Sequence, residues 1–133
     1  MPNSIYGPTN PDPRDKTNHK PRRFASVVEL RPEKEAEYRK LHADVWPAVL
    51  ERIHQCHFRN YSIHLGEIDG KKYLFSYCEY IGDDLEADSR AIGEDPEVRR
   101  WWRETDPCQR PLAGEHASKE EWWMDLEEVF YTP

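Results

Sequence analysis

Three observations predict an α+β fold of order β-α-β-β-α-β, a ferredoxin-like sandwich with one antiparallel sheet under one layer of helices. Residues 22 to 30 alternate in side-chain character, as a strand does. Two further strand-like runs, 57–68 and 72–80, flank an Asp69-Gly70 turn, a strong hairpin signal. Two helix starts carry proline at the first helical position, Pro32 and Pro96. With 133 residues the chain is long enough for one domain and one core.

The chain opens with Met1 to Pro21, rich in Pro, Asn, Asp and Lys and nearly free of aliphatics. We read it as a disordered arm, which leaves residues 22–133 as a single domain. In the first strand Phe24, Ser26, Val28 and Leu30 face one way, and Ala25, Val27 and Glu29 the other. A helix is expected from Glu33 to His42 and its continuation from Asp44 to His54. Leu41, Val45, Ala48, Val49 and Ile53 form its apolar stripe. In the second strand Tyr61, Ile63 and Leu65 share a face. The third is apolar on both faces, with Tyr73, Phe75 and Tyr77 opposite Leu74, Ser76 and Cys78. Two covered faces account for that, and a homodimer packed through the sheet supplies the second cover. Asp84 caps a helix reaching Ile92, and Asp95-Pro96-Glu97 starts another that ends before Asp106-Pro107. Pro107 to Glu120 reads as a loop, Glu121 to Met124 as a short helical turn, and Asp125 to Tyr131 as the last strand.

The bulk numbers exclude several classes. A net charge of -7 argues against nucleic acid and against an anionic membrane surface. No apolar run approaches the roughly 20 residues of a membrane span. No signal peptide is visible, and Cys56, Cys78 and Cys108 are odd in number and scattered, which fits a reduced cytoplasmic protein. The aromatic content of 12% suits a dense small core or a cleft that binds a sugar or a ring.

The chemistry concentrates at Tyr38 to Pro47. Tyr38 and His42 are four apart and stack on one helical face. Trp46 continues that line, but Pro47 disfavours helical geometry in the residue before it, so the helix breaks between His42 and Trp46. If Asp44 caps the restarted helix, Pro47 falls in its first turn. His42 then lies near a helix C-terminus, where the dipole favours the imidazolium. Such a group suits proton transfer on a polar organic substrate. The competing reading is a surface histidine flanked by Lys40 and Asp44. Tyr61 is a core residue by periodicity unless a pocket lies beneath the sheet. Trp101 and Trp102 point about 100° apart on a helix, so one can pack while the other lines a cleft. The same holds for Trp122 and Trp123, and aromatic faces stack on pyranose C–H faces. His54, Cys56 and His57 match no structural zinc spacing, so no metal is assigned. No phosphate-binding glycine loop, nucleophile elbow or paired-cysteine motif is present.

Four short segments resemble the L-rhamnose mutarotases: Tyr38-Arg39-Lys40-Leu41-His42 with Trp46-Pro47, Asn60-Tyr61-Ser62-Ile63, Arg100-Trp101-Trp102, and Glu127-Glu128-Val129-Phe130-Tyr131-Thr132-Pro133. The resemblance implies a dimeric α+β barrel of two ferredoxin-like subunits packed sheet to sheet. It implies an aldose 1-epimerase type of isomerase, exchanging the α and β anomers of L-rhamnose or another 6-deoxy aldose without a cofactor. His42 would be the proton donor, with Tyr38, Tyr61, Trp101 and Trp102 binding the monosaccharide. The base stays open between a water, Tyr38 and a carboxylate. The arm before Arg22 and the stretch from Asp106 to Trp123 depart from the family pattern, which bears on the choice of sugar. The rival classes on this topology are a dimeric-barrel monooxygenase and a non-catalytic small-molecule-binding module. Trp122 and Trp123 are expected no nearer the site than its rim.

Overall fold

The strand β1, Arg22–Leu30, is the spine of the sheet, because it pairs along both edges. The structure, a computed structural model, describes residues 22–132; the arm expected over residues 1–21 lies outside them. A 3-10 turn at Pro32–Lys34 leads into α1, Glu35–Ala43, and α2 follows as Pro47–Gln55. Then come β2, Phe58–Ile68, and β3, Lys71–Tyr80, joined at Asp69 and Gly70, both with positive φ, as a tight two-residue turn requires. The helices α3, Leu85–Glu94, and α4, Pro96–Thr105, complete the layer. The strand order is β2-β3-β1-β4, all antiparallel among the described pairs, which is the ferredoxin-like arrangement expected.

The helix boundaries follow local chemistry. Asp84 caps α3 by accepting from the Ala87 N–H at 3.1 Å. Asp95 caps α4 by accepting from Glu97 and Val98 at 2.9 and 3.1 Å, with Pro96 as its first residue. The break after α1 is real, but Asp44 does not cap α2. Asp44 ends α1, and Trp46 occupies the cap position, its carbonyl accepting from Val49 and Leu50. Pro47 needs no N–H at the first helical position, so α2 starts there rather than at Asp44.

The fourth strand departs most from expectation. Within the stretch read as a loop, β4, Gln109–Arg110, pairs with Leu30 and Glu29. The chain then leaves the sheet and returns as β5, Met124–Leu126, against Val27 to Ala25 on the same edge. Paired residue numbers add to 139 in the first piece and 151 in the second, so twelve residues loop out of one edge strand. That detour carries a 3-10 turn at Lys119–Glu121, earlier than the turn expected at Glu121. The last strand is correspondingly shorter than 125–131. A two-residue strand has no period to read, and propensity at an edge is overridden by pairing with β1.

Val28, Leu30, Tyr38, Leu74 and Cys108 form a buried cluster between sheet and helices, with Ile63, Trp122 and Trp123 packed against it. Burying one such aliphatic side chain stabilises by roughly 1.5–3 kcal/mol. Tyr73, Phe75 and Tyr77 alternate with the cavity-lining Leu74 and Cys78, and so look out from the opposite face.

Candidate active site

The helices do not close completely on the sheet. A cavity of about 740 Å³ lies between them, within the range of small-molecule sites. Its walls come from the helices α1, α2 and α4, from β2 and β3 on the floor, and from the looped-out segment. All five residues singled out in the sequence, Tyr38, His42, Tyr61, Trp101 and Trp102, line it.

The α-helical spacing works as expected at Tyr38 and His42. Their rings stack with centroids 4.1 Å apart. Trp101 stands edge-on to His42 at 5.3 Å and to Trp46 at 5.2 Å, so the imidazole is wedged between two aromatic side chains. The imidazole Nδ1 lies 3.0 Å from the Tyr38 carbonyl oxygen. A carbonyl only accepts, so Nδ1 carries a proton, and in the neutral ring Nε2 holds a lone pair. Burial works against the imidazolium that the helix-end position was expected to favour. Burial among apolar rings lowers the His42 pKa below its ordinary value of 6.5 and outweighs the Tyr38 carbonyl, which acts the other way.

Tyr61 reaches the cavity through a flaw in β2. Arg59 pairs with Glu79 and Ser62 with Tyr77, so Asn60 and Tyr61 together oppose Cys78. This bulge shifts the side-chain phase by one. Phe58 faces the cavity before it; Tyr61, Ile63 and Leu65 face it after. Asn60 takes the left-handed conformation (φ 50°) and anchors the bulge by donating to the Glu79 carboxylate at 3.0 Å. Burial pushes the Tyr61 phenol up to about 12, while 48% of the residue stays accessible because the ring borders an open cavity. Burial raises Cys78 to about 11, so its thiol stays protonated. Burial also raises the Tyr38 phenol, against the effect of a Gln109 hydrogen bond.

Sequence reasoning missed Phe58, Gln109 and Lys119, all on the cavity wall. Lys119 stands 4.1 Å over the Trp102 ring and bonds to Asp106 at 2.9 Å. Of the second tryptophan pair, Trp123 lines the cavity and Trp122 does not, and both pack partly buried against the core cluster. The cluster at 54–57 disperses: His57 pairs with Asp88 at 3.0 Å, and Cys56 is buried. Among the described residues no three His, Cys, Asp or Glu side chains are grouped as metal ligands. No helix there is long and apolar enough to cross a membrane.

A half-buried imidazole whose Nε2 has no hydrogen-bond partner among the described residues, set among phenols and indoles in a partly open cavity, can move a proton on a bound small molecule. Comparison with known proteins narrows the class. The L-rhamnose mutarotase family model matches residues 23–132, and the chain belongs to that family. It is 33% identical to L-rhamnose mutarotase of Bacillus subtilis over 110 residues, covering 83% of this chain and 97% of that one. With the enzyme of that name from Jannaschia it shares 32% over 99 residues, 68% of this chain and 88% of the relative. The fold is also that of the crystal structure of an L-rhamnose mutarotase from Formosa agariphila. The TM-score is 0.62 at 22% identity, covering 84% of this chain and 99% of that one.

Proposed function

We propose that the protein interconverts the α and β anomers of L-rhamnose or a closely related 6-deoxy aldose by acid-base ring opening. The observation that carries this reading is His42, its Nε2 without a hydrogen-bond partner among the described residues, on the wall of a cavity shared with Tyr38, Tyr61, Trp101 and Trp102. Family membership supports a sugar over the oxidisable ring a monooxygenase would hold.

The neutral imidazole acts first as base. Nε2 takes the proton of the anomeric hydroxyl. The resulting imidazolium gives it to the ring oxygen as the C1–O5 bond breaks and the C1 carbonyl forms. After rotation about C1–C2, O5 attacks the other carbonyl face, and the proton returns from O5 to O1 through the same nitrogen. Protons balance, and His42 is base and donor in turn. Assistance of this kind is typically worth about 10²–10⁴-fold. The indole and phenol rings hold the pyranose by C–H stacking and hydroxyl contacts.

We read the working unit as a homodimer joined through the outward sheet face, where Tyr73, Phe75 and Tyr77 line up and Met124 and Leu126 are exposed. A specific interface of this kind buries about 1,200 Å² or more. Sedimentation at tens of micromolar showing only a 15.9 kDa species would oppose it. Three free cysteines fit a reducing cytoplasmic setting. The activity is tested by magnetisation transfer between the two anomeric protons of L-rhamnose. Added protein should speed exchange well beyond buffer. Rates equal to buffer for rhamnose, fucose and other common aldoses would end the mutarotase reading.

A further inference from the structure

The looped-out edge strand does more than fill space behind the site. Trp122, on its returning arm, donates its indole N–H to the Gln109 side-chain oxygen at 2.8 Å. The Gln109 amide nitrogen lies 3.3 Å from the Tyr38 hydroxyl oxygen. An amide side chain can ordinarily be turned either way, but an indole only donates. Trp122 therefore fixes the Gln109 oxygen on its own side and the NH₂ on the Tyr38 side. The NH₂ in turn only donates, so the Tyr38 oxygen accepts, and the phenol proton points away from Gln109. Gln109 is the one hydrogen-bond partner of that hydroxyl among the described residues, and Tyr38 lines the cavity. Gln109 and Tyr38 are 4% and 5% exposed, so water does not readily replace either bond.

We infer that Trp122 and Gln109 are positioning residues: they set the polarity of a chain Trp122→Gln109→Tyr38 that makes the Tyr38 hydroxyl a dedicated hydrogen-bond donor to an oxygen of the bound sugar. The chain exists because the twelve-residue detour leaves the β1 edge after Arg110, next to Gln109, and rejoins it at Met124, two residues after Trp122. The inference takes its ligand from the proposed function and its polarity from the protein alone.

The decisive variant is Gln109→Glu, which keeps the shape and reverses the polarity. An ionised carboxylate accepts from both neighbours, so Tyr38 would donate to it and offer the sugar only lone pairs. The groups bonded to this side chain are Tyr38 and Trp122, and the nearby Arg31 donates from Nε to the Gln109 backbone carbonyl at 3.3 Å. Measurement at pH 9 as well as pH 7 ensures that the carboxyl is ionised. Gln109→Met is the control, since it frees the Tyr38 hydroxyl without reversing it. We expect Gln109→Glu to raise KM for L-rhamnose about tenfold or more at pH 9 with a smaller change in kcat, and Gln109→Met to raise it about threefold or less. Equal KM values for Gln109→Glu and wild type at pH 9, or a larger loss in Gln109→Met, would overturn the inference.

A second measurement does not depend on the variants folding or on turnover. The Trp122 indole N–H resonance, identified by its absence in Trp122→Phe, should be protected from solvent exchange. Exchange as fast as that of an exposed indole would remove the chain. If wild type binds L-rhamnose without speeding anomer exchange, the mutarotase reading falls, and the same comparison is made on Kd. If it does not bind L-rhamnose at all, the ligand assignment falls, and indole protection alone decides whether the polarity stands.

Discussion

The two side walls of the cavity are built by different means. One is helical: Tyr38 and His42 sit one turn apart on α1, and Trp101 and Trp102 stand on a helix with a fully made N-cap. The other is an interrupted strand: Gln109, Lys119, Trp122 and Trp123 are gathered by a detour from the sheet edge. The first wall holds His42, the group we propose moves the proton. The second lines the cavity too, and two of its groups also touch the first, Lys119 over Trp102 and Gln109 on Tyr38. Chemistry is thus placed on regular elements, whose geometry is fixed by their own backbone bonds. Fine adjustment is placed on a segment that can vary without disturbing them.

The contrast can be broken most forcefully at His42. His42→Ala should lower the catalysed exchange rate by about 10²–10⁴-fold while the circular dichroism spectrum stays that of the folded protein. The ring is only half-buried, and the chain after it already turns out of the helix. An unfolded variant would mean that the stack of Tyr38, His42 and Trp101 is a packing device first. Trp102→Phe should follow, with sugar affinity reduced roughly tenfold or less, as expected for loss of part of a stacking face. Titration by intrinsic fluorescence checks it. On the second wall, Lys119→Met should alter affinity by no more than about threefold. The ammonium belongs to an exposed ion pair and two cation–π contacts, on Trp102 and Trp122, each worth about 1 kcal/mol or less. If Lys119→Met costs more than Trp102→Phe, the detour carries a direct substrate contact and the ranking of the walls is reversed.

The smallest expected effect is on stability. His42 is held below its ordinary pKa in the folded protein by burial. Between the folded value and 6.5 the unfolded chain binds the extra proton, so stability rises with pH across that window and is lost as pH falls through it. Thermal melts of wild type and His42→Gln should therefore diverge only on the acid side, with wild type the more acid-sensitive. Parallel curves down to pH 5 would mean that burial does not act on this ring.

The same division explains what could be read from the sequence. Strands β1, β2 and β3, and helices α3 and α4, carry periodic faces, a two-residue turn and side-chain caps, which are local signals. Tyr38 and His42 were legible because helical spacing brings residues four apart together. Tyr61 was placed on the right face because Ile63 and Leu65 set the phase after the bulge; Phe58, before it, was not. Gln109 had no such signal. Its strand is two residues long, and its partners Tyr38 and Trp122 come from β1-edge pairing and from a helix 71 residues away in sequence. The direction of the His42 shift was not legible, because helix-end position is visible in the sequence, whereas the apolar ring packing that lowers its pKa is tertiary.

The central claim is that a neutral His42 opens the ring by taking a proton first. The most direct test is the rate of L-rhamnose anomer exchange, above buffer, measured from pH 5 to pH 9 by magnetisation transfer. The account predicts a plateau at neutral and alkaline pH and a single-proton fall on the acid side, centred below the ordinary histidine value of 6.5 and absent from the residual rate of His42→Ala. A rate that rises toward acid would contradict it, since the imidazolium would then be the form that starts the reaction.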